Sequence, residues 1–173
     1  MRKTKLSAVI ATFLVCFAFW LLLTWSVKPQ ELIAGALVSL AAALFSARFF
    51  IHEKAGFLWN PARLLNLIAY SLVIFPIELV KANVDVAKRA LSPKLPVNPG
   101  FVKIPSKVKS EYGQAMLADS ITLTPGTITM DITEEDGQTN YYIHWIDVAS
   151  EDPQEAGEAI KGTLEKWVRR IWE

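Results

Sequence analysis

Residues 6–25 form an uninterrupted run of twenty residues without a single charge, LSAVIATFLVCFAFWLLLTW. An α-helix rises about 1.5 Å per residue, so this run covers roughly 30 Å, the hydrocarbon thickness of a bilayer. That one feature makes the chain an integral membrane protein. Arg2, Lys3 and Lys5 precede the run, and Trp20 and Trp25 stand near its far end, where interfacial aromatics gather. A cleaved signal peptide would have a shorter apolar core and a small-x-small cleavage site. Here Ser26-Val27-Lys28-Pro29-Gln30 follows, and a second apolar run begins at once.

That second run, residues 32–47, is rich in Ala and carries Gly35, Ser39 and Ser46. Small residues let helices approach closely in lipid. With Lys28-Pro29-Gln30-Glu31 as a tight turn, the two runs read as a helical hairpin over about 6–25 and 32–51. Arg48, His52 and Lys54 follow the second helix and match the basic N-terminus. By the positive-inside rule, both ends of the hairpin face the cytoplasm. The lone cysteine, Cys16, lies inside the first run. It excludes an internal disulfide and a multi-cysteine metal site, and reads as a small packing residue. Phe13-Leu14-Val15 before it do not fit a lipoprotein signal.

A third helix is predicted over 61–91. Asn60 is a good cap and Pro61 suits the first helical position. Polar residues recur at Arg63, Asn66, Tyr70, Glu78, Lys81, Asp85 and Lys88, at spacings of three or four apart from one gap filled by Ile74. This is one polar stripe on a long amphipathic helix. Such a stripe should not face lipid, whether the helix crosses the membrane as a third span, lies along its surface or packs on partner helices.

The remainder is a different kind of sequence. Residues 1–110 hold fourteen of the eighteen Lys and Arg and only four acids, whereas residues 111–173 hold thirteen acids and four basic residues. The basic half points to anionic headgroups. With no basic stripe interleaved by aromatics, nucleic acid is a poor partner. Residues 92–100 are a proline-rich connector. Phe101-Val102-Lys103-Ile104 is a short strand, stopped by Pro105. Ser106 caps a helix to about Ile121, with Val108, Tyr112, Ala115 and Leu117 or Ala118 inward. Pro125-Gly126 suits a type II turn. Ile128, Met130 and Ile132 alternate on one strand face, and Asp136-Gly137 is a hairpin turn that would pair Ile132 with Tyr141, Met130 with Ile143 and Ile128 with Trp145. Pro153 opens a last helix with Ala156, Ile160, Leu164, Trp167 or Val168, and Ile171 on its apolar stripe. The fold expected is therefore a membrane α-helical N-terminal part, hairpin plus amphipathic third helix, with a small C-terminal α+β domain in the order strand–helix–β-hairpin–helix. The domains would be 1–91, 92–100 and 101–173. About seventy residues make a marginal lone core, so the domain should lean on other parts or partners.

Chemistry is sparse. There is no Walker loop, dinucleotide fingerprint, zinc spacing or nucleophile elbow, so no enzyme and no cofactor is expected. His144, with Thr129 opposite, reads as a packing or surface histidine. Glu134-Glu135-Asp136 reads as a solvated hairpin tip. Glu78 stands out, because an ionisable residue at the edge of an apolar stretch is a candidate for function; the plainer reading is an ion pair with Lys81 one turn on. Glu78, Lys81 and Asp85 are the candidate ion-path or interface residues.

Several separated blocks carry a resemblance: Glu78-Leu79-Val80-Lys81-Ala82-Asn83-Val84-Asp85-Val86-Ala87, Leu91-Ser92-Pro93, Asn98-Pro99-Gly100, Asp119-Ser120-Ile121-Thr122-Leu123-Thr124-Pro125-Gly126-Thr127 and Ile143-His144-Trp145-Ile146-Asp147-Val148. In order and spacing the chain resembles the E subunits of the Mrp-type multisubunit Na+/H+ antiporters. The resemblance implies a multi-pass component of a plasma-membrane complex that exchanges Na+ for H+. It implies other antiporter subunits and the bilayer as partners, a cytoplasmic C-terminal domain and an accessory role in assembly or activity. It carries over no catalytic residue. The rivals are a stand-alone membrane-anchored interaction domain and a subunit that places Glu78 in the ion path.

Overall fold

The structure is a computed structural model that describes residues 6–49 and 60–173, with side chains described at 6–46 and 60–173. The expected basic flanks at Arg2, Lys3 and Lys5 and at Arg48, His52 and Lys54, and the end of the second helix near 51, lie outside those residues or side chains. Two compact units form, Met1–Asn60 and Pro61–Glu173.

In the first unit, α1 (Leu6–Thr24) and α2 (Pro29–Phe49) form the expected hairpin. Here α2 starts at Pro29, earlier than the expected 32. Proline suits a first helical position and Glu31 complements the positive end of the helix dipole, so the expected turn is mostly helix. Trp20 turns into the hairpin. A methyl group on Gly35 would lie 2.5 Å from Trp20 Cδ1, so glycine is what lets the indole seat against α2. Both helices are long and apolar enough to cross a membrane.

The second unit begins with one continuous helix made of three parts: α3 (Pro61–Ala69), a π-helical turn (Tyr70–Ile74) and α4 (Phe75–Leu91). The π turn explains the irregular gap in the polar stripe. It inserts one residue, so two turns of helix take roughly eight residues instead of about seven, and Tyr70 and Glu78 fall on the same face without Ile74.

Beyond the connector, β1 (Gly100–Ser106), α5 (Glu111–Leu123), β2 (Thr127–Glu135), β3 (Gln138–Trp145) and α6 (Pro153–Trp172) build an antiparallel sheet of order β1-β3-β2 with α5 and α6 against one face. Ile104, Leu117, Ile121, Tyr141, Ile143, Val168 and Ile171 are its fully buried core. Asp152 caps α6 by accepting from the N–H groups of Gln154 and Glu155.

Three local expectations are corrected. Pro105 does not stop β1, which pairs through Ser106; β1 is an edge strand, where the missing N–H is tolerated. The cap of α5 is Ser110, whose side chain accepts from Gly113 N, while Ser106 accepts from Val108 N and donates to Glu165. Consequently Ala115 is exposed, and Gly113 takes the inward place, where a methyl group would meet Val108 at 2.7 Å. The third correction is the hairpin register. Its turn is as expected, with Asp136 and Gly137 both at positive φ, and Ile132 pairs with Tyr141. A bulge then intervenes, and Thr129 rather than Met130 pairs with Ile143, Thr127 rather than Ile128 with Trp145. Ile128 and Met130 are therefore exposed, and His144 sits between Phe101 and Ile128 instead of opposite Thr129. The bulge has a reason in hydrogen bonding. It turns Thr127 and Thr129 inward, where their hydroxyls donate to the carbonyls of Ile121 and Ala118 near the end of α5. Those carbonyls lack helical partners or share them, and a buried carbonyl without a donor is costly.

Candidate functional site

The second unit is tied together along the whole of its first helix. At the start, Arg63 Nη2 donates to the Glu173 carbonyl at 2.8 Å. In the π turn, the buried Tyr70 hydroxyl donates to Ser120 Oγ at 2.6 Å, and Ser120 donates onward to the Met116 carbonyl. Further along, Gly126, at φ +99°, faces Val86, so the type II turn meets the helix without a side chain between them. At the end, Arg89 pairs with Asp85 at 2.8 Å and with Asp147 at 2.5 Å, and also donates to the Pro96 carbonyl. Sequence reading missed Arg89. The Asp85–Arg89 spacing was visible, but Asp147 is 58 residues away and no local pattern announces it.

Glu78, Lys81 and Asp85 come together on one wall of an open cleft of about 290 Å³. The opposite walls are the 124–127 turn, the Trp145-Ile146 end of the hairpin, and Ile160 and Leu164 of α6. Glu78 accepts from Lys81 at 2.8 Å, and Asp85 from Arg89. Each carboxylate of the stripe thus has a cation. The Thr124 and Thr127 hydroxyls that line the cleft bond the Ile121 carbonyl and each other and not a base, and no group of three metal-ligating side chains occurs among the described residues. Chemically this is a row of ion pairs along the helix, joined to the domain where Arg89 also binds Asp147.

A second polar cluster, unforeseen from sequence, is buried where α6 meets the end of β1. Lys161, only 5% exposed, donates to Glu165 at 2.6 Å. The other carboxylate oxygen of Glu165 accepts from Ser106 Oγ at 2.7 Å and Lys107 N at 2.6 Å. Burial alone would raise the Glu165 pKa, but Lys161, Ser106 and the Lys107 N–H outweigh it and hold the carboxyl below its ordinary value. Burial, with the nearby Glu165 charge, pushes the Tyr141 phenol up, so it stays a neutral donor to the Gln114 carbonyl. Ile160 was expected inward at this helix face; it is half-buried, and the aliphatic stem of Lys161 shares the position beside Gly157.

Comparison with known proteins places this architecture. The family described as "Na+/H+ ion antiporter subunit" matches residues 13–171. The chain belongs to this family. Among its relatives is the E1 subunit of the Na+/H+ antiporter of Staphylococcus haemolyticus, 33% identical over 95% of this chain and 97% of that protein. The E1 subunit of Staphylococcus saprophyticus is 34% identical over 92% of this chain and 94% of its own length. A chain in the solved structure of the membrane-bound sulfane sulfur reductase, an archaeal respiratory membrane complex, is 45% identical. The match covers 96% of this chain and 100% of that one, with a TM-score of 0.78. As an antiporter-subunit family member with an apolar hairpin, the chain is a membrane protein built to work beside other subunits.

Proposed function

We propose that this chain is an accessory subunit of a multisubunit cation/proton antiporter of the plasma membrane, needed for assembly and activity of Na+/H+ exchange and contributing no transport site of its own. The likeness to antiporter subunits along nearly the whole chain carries the reading. The paired state of every stripe carboxylate supports an architectural role for Glu78, Lys81 and Asp85 over a place in the ion path. In this reading residues 1–91 are membrane-associated, 92–100 connect, and 101–173 form a cytoplasmic domain. Basic residues on both sides of the hairpin support that orientation. The test is deletion of the chain from its host, followed by Na+/H+ exchange in everted membrane vesicles. Loss of exchange, with the remaining subunits failing to co-purify, is expected; undiminished exchange overturns the reading.

A second reading is favoured by one observation, the 45% identity to a chain of a respiratory membrane complex. In this reading the chain is a subunit of a respiratory membrane complex. Purification through a tag on this chain separates the two. Partners bearing redox cofactors support the second reading, and partners without them the first.

A further inference from the structure

The face of the third helix turned away from the α/β domain is apolar and, among the described residues, uncovered. Leu65, Leu72, Val80, Val84 and Leu91 are 66%, 72%, 61%, 46% and 84% exposed. Their separations are seven, eight, four and seven residues. Seven is about two α-helical turns, and the single eight spans the π turn, so one straight stripe runs the length of the helix. Without the extra residue at 70–74, the stripes of α3 and α4 would be rotated apart by roughly a hundred degrees. The π turn therefore serves both faces at once, keeping the tied face on the domain and the free face in line.

We infer that this stripe is the seat of the bilayer surface, and that the third helix lies in the membrane interface without crossing it. Three observations identify lipid as the occupant. First, the domain lines the opposite face from Arg63 to Arg89, with the backbone oxygen of Glu173 at its start and the carboxylates of Asp119 and Asp147 beside its middle and end. A helix crossing the hydrocarbon would drag those charges into it, at a cost of several kcal/mol each. Second, the helix has 31 residues and is about 46 Å long, well beyond a hydrocarbon core of about 30 Å. Third, Lys81 and Lys88 stand three or four residues from Val84 and Leu91, at the border of the stripe, and both are exposed. Lysines there can lay their stems on the apolar surface and reach anionic headgroups. Lys81 also keeps its contact with Glu78.

The experiment uses the full chain in its complex, with Cys16 replaced by Ala and single spin-labelled cysteines at Leu65, Leu72, Val80 and Val84. Collision with molecular oxygen, which dissolves in hydrocarbon, is compared with collision with a water-soluble nickel chelate. All four sites should give the same shallow, oxygen-favoured ratio. A ratio that peaks at Leu72 and Val80 and falls toward the ends shows a spanning helix and overturns the inference. Low collision with both reagents shows a partner protein on the stripe and overturns it too, as does free collision with nickel at all sites. In vesicles containing an anionic phospholipid the ratio should exceed that in neutral vesicles, and Lys81→Gln with Lys88→Gln should remove the difference. Equal ratios in the two lipids overturn the role given to the lysines.

Discussion

The α1–α2 hairpin and the third helix are both long, apolar helices, and by length and hydropathy alone all three segments qualify as membrane spans. They differ in how their polar atoms are satisfied. The hairpin helices are apolar all round, and their specificity comes from close approach, with Trp20 against Gly35. The third helix is two-faced. One side is committed to hydrogen bonds and ion pairs with a charged domain, and the other presents a bare stripe. Hydropathy averages the two faces and cannot see the difference. Only the distribution of partners around the helix does.

The strongest way to break the comparison is to unfold the unit that holds the third helix and leave the hairpin alone. Glu165→Gln strands the buried Lys161 ammonium without its counter-charge, which costs about 3–5 kcal/mol for a buried pair. Thermal or denaturant unfolding followed by tryptophan fluorescence should show the loss in the C-terminal unit. The same carboxylate sets an acid limit. Its folded pKa is lowered, so its stabilisation is complete above the unfolded value near about 4.3 and is lost as pH falls through the folded pKa. The pH dependence of stability in this window should be shallower in Glu165→Gln, which lacks this titrating group, and Glu135, held low by its hydrogen bond from Lys103, keeps its own contribution.

A milder change attacks the other region. Gly35→Leu forces a side chain into the Trp20 ring and should cost about 1–3 kcal/mol, read as a shift of the Trp20 emission and loss of hairpin packing in detergent. The C-terminal unit should be untouched. The smallest expected effect is Tyr70→Phe, which removes one buried hydrogen bond to Ser120, worth about 1 kcal/mol. Amide exchange around the π turn should quicken while the sheet stays protected.

Much of this was legible in the sequence where the signal is local. The hairpin, the helix over 61–91, the Asp136-Gly137 turn and the order of elements all follow from periodicity, caps and turn residues. The polar stripe identified Glu78, Lys81 and Asp85, and the structure does bring them to one cleft. What escaped depends on distant partners. Met130 looked like a core residue because alternation predicts facing only while the ladder is regular, and the bulge answers a demand set by α5 carbonyls. Lys161 reads as a surface lysine until Glu165, Ser106 and the Lys107 N–H are seen around it. Arg89 matters because Asp147 arrives from just past the end of β3, 58 residues along the chain.

The placement of the third helix decides which side of the membrane each end of the chain occupies. With two spans followed by an interfacial helix, cysteines at Lys3 and Lys94 stand on the same side. A membrane-impermeant maleimide applied to sealed right-side-out and inverted vesicles of the Cys16→Ala background reads this directly. Labelling of both positions only in inverted vesicles is the expected result; labelling of Lys3→Cys and Lys94→Cys from opposite sides contradicts it.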